Sequence, residues 1–417
     1  MQPYLETDLT LSPAHEQLKL GVHAFARDVL RPAAARLDRM GDPAQVIAPG
    51  SALWDTLRTA YKLGFHTALV PTSCGGMGLS GLGLQIALEE LGWGCAGLAS
   101  SIAVAGFPFM SVALTGNQAL IDELVGPFVG DKTANHVGCW AITEPLHGSD
   151  HFSPGTAAFH DPSVFGEVTA TPAGDEFVLR GQKSKWVSNG TIATHAVVYL
   201  GMDPSRGMAG GGVAFVPLDA KGVTKEPPLD KLGLRALNQG SMTFDGVRIP
   251  KRYVVADPSV YEPVLRNTLL LTNAAVGAVL TGTARAAYEE ALAYARTRVQ
   301  GGKPLCEHQL VQRTLFDMFT KVTNSRLLSR MALVYNSGTH EQALEYSIAA
   351  KVYCTQSAFE VADAAVQLCG GRGLAKDSTI ERLFRDTRAG LIEDGANDVL
   401  ALVGARQLLD RAMPEQT

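Results

Sequence analysis

The chain has 417 residues, 46% of them hydrophobic and 18% charged, with a formal net charge of -5. That length carries a large core divided over two or three units, and the acidic balance gives no electrostatic case for nucleic-acid binding. The six cysteines, Cys74, Cys95, Cys139, Cys306, Cys354 and Cys369, form no C-x-x-C pair. Neither a disulfide framework nor a metal site is therefore indicated, and reduced thiols in a cytoplasmic protein are expected.

The N-terminal MQPYLETDLT is acidic and lacks an apolar stretch, so no signal or transit peptide is expected. From residue 12 to about 130 the pattern is helical. Ser12 is a cap, Pro13 suits the first helical position, and Leu18, Val22, Phe25 and Val29 share a face. Pro32 is expected to break or bend that helix. Trp54 to Leu63 reads as a second helix stopped by Gly64, and PTSCGGMGL (71–79) as a turn-rich loop. Leu84 to Leu91 resumes helix. Leu98 to Leu114, the most apolar stretch, is interrupted by Ser100, Ser101, Gly106 and Pro108, so buried helix rather than a membrane span is expected.

From Gly138 to about 250 the signals are those of strands: Val178–Leu179, Val197–Leu200, Gly212–Val216 and the set Met242, Phe244, Val247, Ile249. A small barrel or sandwich follows. GMAGGG (207–212) reads as a flexible hairpin tip, without the lysine and helix of a phosphate loop. Beyond about 258 three long helices are expected, Leu270–Arg298, Gln309–Asn336 and Glu341–Cys369, the last stopped by Gly370 and Gly371. The units are 1–137, 138–252 and 253–417. No G-x-G-x-x-G lies between a strand and a helix, no His/Cys/Asp cluster has metal spacing, and no G-x-S-x-G elbow occurs.

Near the C-terminus, RDTRAGLIEDGAND (385–398) separates two helices. Ser378 and Glu381 form a capping-box pattern before the first, and Val399, Leu400, Leu402 and Val403 are spaced for one face of the second. Between them Glu393 and Asp394 precede Gly395. A carboxylate on a short loop at a helix N-terminus is placed to act as a base, with neighbouring N–H groups to polarise a carbonyl. A solvated acidic loop with a cap explains the same residues.

Six segments in order make a more specific case: CWAITEPLHGSD (139–150), GQKSKWVSNG (181–190), KLGLRALNQGSMTFDGVRIP (231–250), YARTRVQGGKPLCEHQ (294–309), QLCGGRG (367–373) and RDTRAGLIEDG (385–395). Their order and spacing resemble the acyl-CoA dehydrogenase family of flavoproteins over residues 12 to about 411. The resemblance implies an α+β, mostly helical fold, with an N-terminal helical domain, a central β-barrel and a C-terminal four-helix bundle. It also implies FAD, an acyl-CoA or acyl-carrier-protein thioester, electron-transferring flavoprotein as acceptor and a homotetramer. No membrane partner is implied.

By that resemblance Ile142 and Thr143 contact the flavin ring, Ser149 lies near flavin and thioester, Trp186 packs on the ring and Ser188 bonds near N5. In isolation Trp186 reads as a core tryptophan, and Thr143 and Ser149 as turn residues. Arg298 and Gln309 match residues reaching the diphosphate and adenosine of FAD from a neighbouring subunit; Gln367, Gly370 and Gly371 match the pyrophosphate segment. The base position holds Asp394 in place of the usual glutamate, with Glu393 a second choice and Gly395 beside the substrate. The alternative base position of a subgroup falls at Thr272, which has no carboxylate. Asn273 stands where an arginine often anchors the substrate loop, and Gly301 where phenylalanine is usual. Residues 151–168 are an extra loop whose His151 and His160 are expected to be solvated. The implied reaction is α-proton abstraction with β-hydride transfer to flavin N5, giving a trans-2-enoyl thioester. A biosynthetic carrier-protein dehydrogenase or oxidase and a non-catalytic acyl-binding flavoprotein are the alternatives.

Overall fold

The computed structural model describes Asp8 and residues 11–410, so the stretch MQPYLETDLT lies, Asp8 apart, outside it. Helix α1, Pro13–Phe25, starts as its sequence asks: Ser12 Oγ accepts the His15 N–H at 3.3 Å. Pro32 does not end it. A π turn over Ala26–Leu30 takes up the lost backbone bond, and the helix goes on as α2, Arg31–Asp38. Ala52–Lys62 (α3) stops at Gly64, whose φ is +85°. Helix α4, Gly81–Ala105, extends well beyond the expected segment and is kinked at Cys95; Phe107–Ala113 is α5.

One eight-stranded sheet follows: β1 Gly138–Ala141, β2 Thr169–Ala173, β3 Glu176–Lys183, β4 His195–Gly201, β5 Gly211–Pro217, β6 Val223–Lys225, β7 Met242–Pro250 and β8 Val254–Ala256. Their order is β6-β7-β3-β2-β4-β5-β8, with β1 added parallel to β4. Met242, Phe244, Val247 and Ile249 are all buried. The three-residue step from Phe244 to Val247 is absorbed by a bulge at Gly246 (φ +68°), opposite Leu179 and Arg180. GMAGGG is no flexible tip. Gly207 to Gly210 are buried, and a Cβ on Gly210 would sit 1.8 Å from the Asp203 carbonyl oxygen. The glycines are there for close backbone packing.

Alternation divides the sheet's contacts. Cys139, Ala141, Ala196, Val198 and Leu200 pack into one core. Trp140, Ile142, Val197 and Tyr199 face the other way, toward Phe107 and the last helices. Those helices are α6 Tyr261–Thr297, α7 Gln309–Asn336, α8 Leu344–Cys369, α9 Thr379–Gly390 and α10 Asn397–Asp410. The most apolar 18-residue windows of the Gly81–Ala113 stretch and of α6 are long and apolar enough to cross a membrane, but they are 83% and 61% buried inside the protein. They are core helices. Two local readings fail here. Ser378 precedes α9 but makes no side-chain cap bond, and Glu381 pairs with Arg385 (2.6 Å) instead of closing the box. Leu402 is 73% exposed, so the apolar face of α10 consists of Leu400 and Val403.

Buried ions tie the helical ends together. Glu89 and Glu90 of α4 meet Arg285 of α6, Arg326 of α7 also binds Glu89, and His23 of α1 bonds Glu90 at 2.8 Å. Arg385 of α9 clamps Asp38 of α2, and Asp386 accepts the Leu234 N–H at 2.6 Å, which fixes the 229–239 loop beside α9.

Candidate active site

The α9–α10 loop is held from three sides. Asp394 has φ +57°, unusual for a residue with a Cβ, and Gly395 follows at +94°. Lys351, fully buried on α8, donates to the Gly395 carbonyl oxygen (2.6 Å) and to Asn397 Oδ1 (2.8 Å). Ser149 Oγ accepts the Ala396 N–H at 3.0 Å. Asn273 Nδ2 of α6 donates to Asp394 Oδ2 at 2.6 Å and to its carbonyl oxygen at 3.2 Å. A strained backbone fixed by this many bonds is the pattern of a site built for geometry.

One carboxylate oxygen is thereby committed and the other is open. Asp394 Oδ1 is buried without a hydrogen-bond partner, as are Thr272 Oγ1 and Asn273 Oδ1. The Asp394 N–H has no acceptor among the described residues. Burial raises the Asp394 carboxyl to about 6, against the lowering effect of the Asn273 bond, of Lys351 and of the adjacent Thr272 hydroxyl. Glu393 is pushed up to about 7, again by burial first, with Lys351 and Lys231 opposing it and Asp394 adding to it. Lys351 falls to about 8 through burial. A carboxylate near 6 with one free oxygen, beside an unused N–H, can take a proton from a carbon acid and stabilise the resulting oxyanion.

The TEP turn that carries Ser149 is pinned from beneath. Lys183 Nζ, fully buried, donates to Glu144 Oε1 (2.6 Å) and to the Ile142 carbonyl oxygen (2.9 Å). Glu144 also accepts the N–H groups of Glu167 (2.6 Å) and Val168 (3.0 Å), and its pKa is held low despite burial, chiefly by Lys183. The Thr143 carbonyl oxygen accepts the Ser184 N–H at 2.8 Å. His151 is not solvated: it is 3% exposed and lies 3.6 Å from Glu144, while His160 stays half exposed.

Hydrogen bonds bring Ser149 and Asn273 to the loop of Glu393, Asp394 and Gly395, and Ile142 and Thr143 begin the segment that carries Ser149. Trp186 is no core tryptophan. It is 55% exposed, and Gln239 bridges its carbonyl oxygen and Ser188 Oγ at 3.1 and 3.2 Å. An uncovered indole beside an oriented hydroxyl suits a flat ring laid over the sheet. Asn189 fixes this end of the sheet through bonds to the Ser101 and Gly138 carbonyl oxygens. Arg298, Gln309, Gln367, Gly370 and Gly371 are exposed and lie elsewhere. Arg298 follows the end of α6, 25 residues from Asn273 and so roughly 37 Å along the helix axis.

Two lysines of this site were not singled out from sequence. Lys351 had a signal: Ile348, Lys351, Thr355 and Ala358 repeat on the buried face of α8, where a lone lysine needs a partner. Lys231 Nζ, bonded to the Leu234 and Leu237 carbonyl oxygens and to Gln239, had none, because its pairing depends on a folded loop.

Three family models, the N-terminal, middle and C-terminal domains of acyl-CoA dehydrogenase, match residues 12–130, 139–247 and 263–409. The chain is 31% identical over 403 residues to the mouse (Mus musculus) mitochondrial short-chain specific acyl-CoA dehydrogenase, covering 96% of this chain and 91% of the relative. It is 30% identical to a cyclohexane-1-carbonyl-CoA dehydrogenase of Geobacter metallireducens, covering 94% and 96%. Among solved structures it is similar to a nitroalkane oxidase, an active-site aspartate-to-asparagine mutant crystallised with 1-nitrooctane, at TM-score 0.86, 25% identity and 98% of each chain. The exposed Trp186 and the open Asp394 oxygen fit the FAD and the carbon acid that such enzymes require. The chain belongs to the acyl-CoA dehydrogenase family and is an FAD-dependent oxidoreductase acting on a CH–CH group.

Proposed function

We propose that this enzyme removes the α-proton of an acyl-CoA thioester with Asp394 while the β-hydride leaves, giving the trans-2-enoyl thioester. The observation that carries this is Asp394 itself: Oδ2 held by Asn273, Oδ1 open, and a carboxyl raised to about 6. The unbonded Asp394 N–H is the donor for the thioester oxygen, and Ser149 with Lys351 keeps that N–H aimed. FAD would supply the hydride acceptor there, and Ile142, Thr143, Trp186 and Ser188 would hold its ring.

The remaining flavin residues support an oligomer. Arg298 stands too far along α6 to serve a flavin seated at its own Asp394, so Arg298 and Gln309 act on the flavin of a neighbouring copy. Leu310, Phe316, Leu327, Met331 and Val334 leave apolar side chains exposed along α7. A homotetramer follows from the family pattern, as does an electron-transferring flavoprotein as acceptor. Six unpaired cysteines accord with a cytoplasmic enzyme.

Asp394 favours a second reading in one respect. The nitroalkane oxidase neighbour has an active-site aspartate, and a nitroalkane is another carbon acid whose proton such a base removes. An anaerobic screen separates the readings. Bleaching of the flavin by short or cyclic acyl-CoA esters supports the first, and bleaching by nitroalkanes alone supports the second. Bleaching only by acylated carrier protein moves the enzyme into a biosynthetic pathway. A flavin that no thioester or nitroalkane bleaches leaves a binding protein.

A further inference from the structure

The sheet face opposite Asp394 is aromatic. Trp140 packs on Phe107 (5.5 Å between ring centres), Phe152 (5.9 Å) and Tyr199 (6.2 Å). These rings fill the interior on this face of the sheet. Its polar edge is poorly paired. Trp140 Nε1 is buried and faces the Tyr199 hydroxyl without reaching a partner in hydrogen-bond geometry. The Tyr199 hydroxyl donates only a long 3.5 Å bond to Thr268 Oγ1. Buried donors left this loose are uncommon and cost stability unless a ligand uses them.

The edge lies within reach of the base. Thr268 and Thr272 are four residues apart on α6, hence on one face and about one turn, roughly 5.4 Å, from each other. Thr272 lies beside the Asp394 carboxyl. Tyr199 is also within electrostatic range of Asp394, although burial is the larger cause of its raised pKa. Thr268 and the Tyr199 hydroxyl bonded to it therefore stand about one helical turn from the residue beside the base, with Trp140 packed against Tyr199.

Resting on the acyl-CoA reading above, we propose that Trp140, Tyr199 and Thr268 form a specificity site for a short acyl group with an uncharged oxygen at about its fourth carbon. Each of the three is neutral. They offer hydrogen bonds and no counter-charge, so a hydroxyl or carbonyl fits and a carboxylate does not.

The test compares butyryl-CoA, 4-hydroxybutyryl-CoA and succinyl-CoA by anaerobic flavin reduction and by kcat/KM. The expected result is a preference of at least about tenfold for the hydroxyacyl ester over butyryl-CoA. Tyr199→Phe and Trp140→Phe should each cut that ratio about tenfold. Two variants are used so that poor folding of one leaves the ratio measurable in the other. Flavin reduction that is as fast with butyryl-CoA, or faster with succinyl-CoA, overturns the proposal and leaves the acyl-CoA reading standing. So does a ratio that neither variant changes. No bleaching by any thioester overturns both.

Discussion

Asn273 and Asp394, 121 residues apart in the chain, are joined by a 2.6 Å bond from Nδ2 to Oδ2 that leaves the other carboxylate oxygen open. The bond stabilises the charged form, while burial opposes it and raises the carboxyl to about 6. A base works only when deprotonated. Flavin reduction should therefore fall about tenfold per pH unit below about 6 and level off above it. In Asn273→Ala the opposing bond is gone, so the acid limb should move to higher pH. Stopped-flow reduction rates across pH 5–8 test this. A limb that stays in place would show that Asn273 does not act on the base.

The paired ions at the helical core predict an acid-labile fold. Glu90 is lowered to about 2 against an ordinary 4.5. Burial, the largest influence, would raise it, and Arg285 and His23 more than offset that. Glu89 is lowered too, by Arg326 and Arg285 against burial. A carboxylate whose folded pKa is depressed stabilises the fold above its unfolded value of 4.5. That contribution is lost as pH falls toward about 2. Glu89→Ala removes the carboxylate shared by Arg326 and Arg285 from this buried network and should cost about 3–5 kcal/mol. Urea melts at pH 7 and pH 4 measure both effects. A Glu89→Ala protein as stable as the parent at pH 7 would remove the network from the account.

Assembly is tested through the flavin. Arg298→Ala should lower FAD occupancy more than it lowers helical content, because Arg298 is exposed and, among the described residues, bonds its neighbours through its backbone alone. Absorbance at the flavin band, circular dichroism and light scattering on one sample give the comparison. Full occupancy in a monomer would contradict a flavin shared between copies.

Much of the architecture was legible from periodicity. The helix Gln309–Asn336 and the buried set Met242, Phe244, Val247, Ile249 appear as read. What sequence hid depends on tertiary contacts. Pro32 and Gly246 mark where the helix and the strand are disturbed, but whether the disturbance ends the element or is absorbed as a π turn or a bulge is decided by packing. GMAGGG looked flexible because glycine serves both a loose tip and a tight turn, and only the approach of Asp203 decides which. Ser378 and Glu381 had the spacing of a cap, yet Arg385 competes for the glutamate. His151 looked solvated because the cavity that buries it, beside Glu144 and Tyr199, is assembled from distant strands. In the site, Asp394 was found through its motif. The positions of Lys351 and Lys231 follow from packing.

The central claim is that Asp394, and not its neighbour, takes the proton. Aspartate is shorter than the usual glutamate by one methylene, on the order of 1 Å of reach, and an error of that size costs roughly a hundredfold in rate. On this account the offset comes from a loop held by Asn273, Ser149 and Lys351. Glu393 is also raised, to about 7. The decisive experiment is rapid anaerobic flavin reduction in Asp394→Asn and Glu393→Gln, each checked for bound FAD and thioester. The account predicts a loss of about two orders of magnitude or more in Asp394→Asn and a much smaller loss in Glu393→Gln. The reverse order would make Glu393 the base, and two variants reduced at the parent rate would remove this loop from the chemistry.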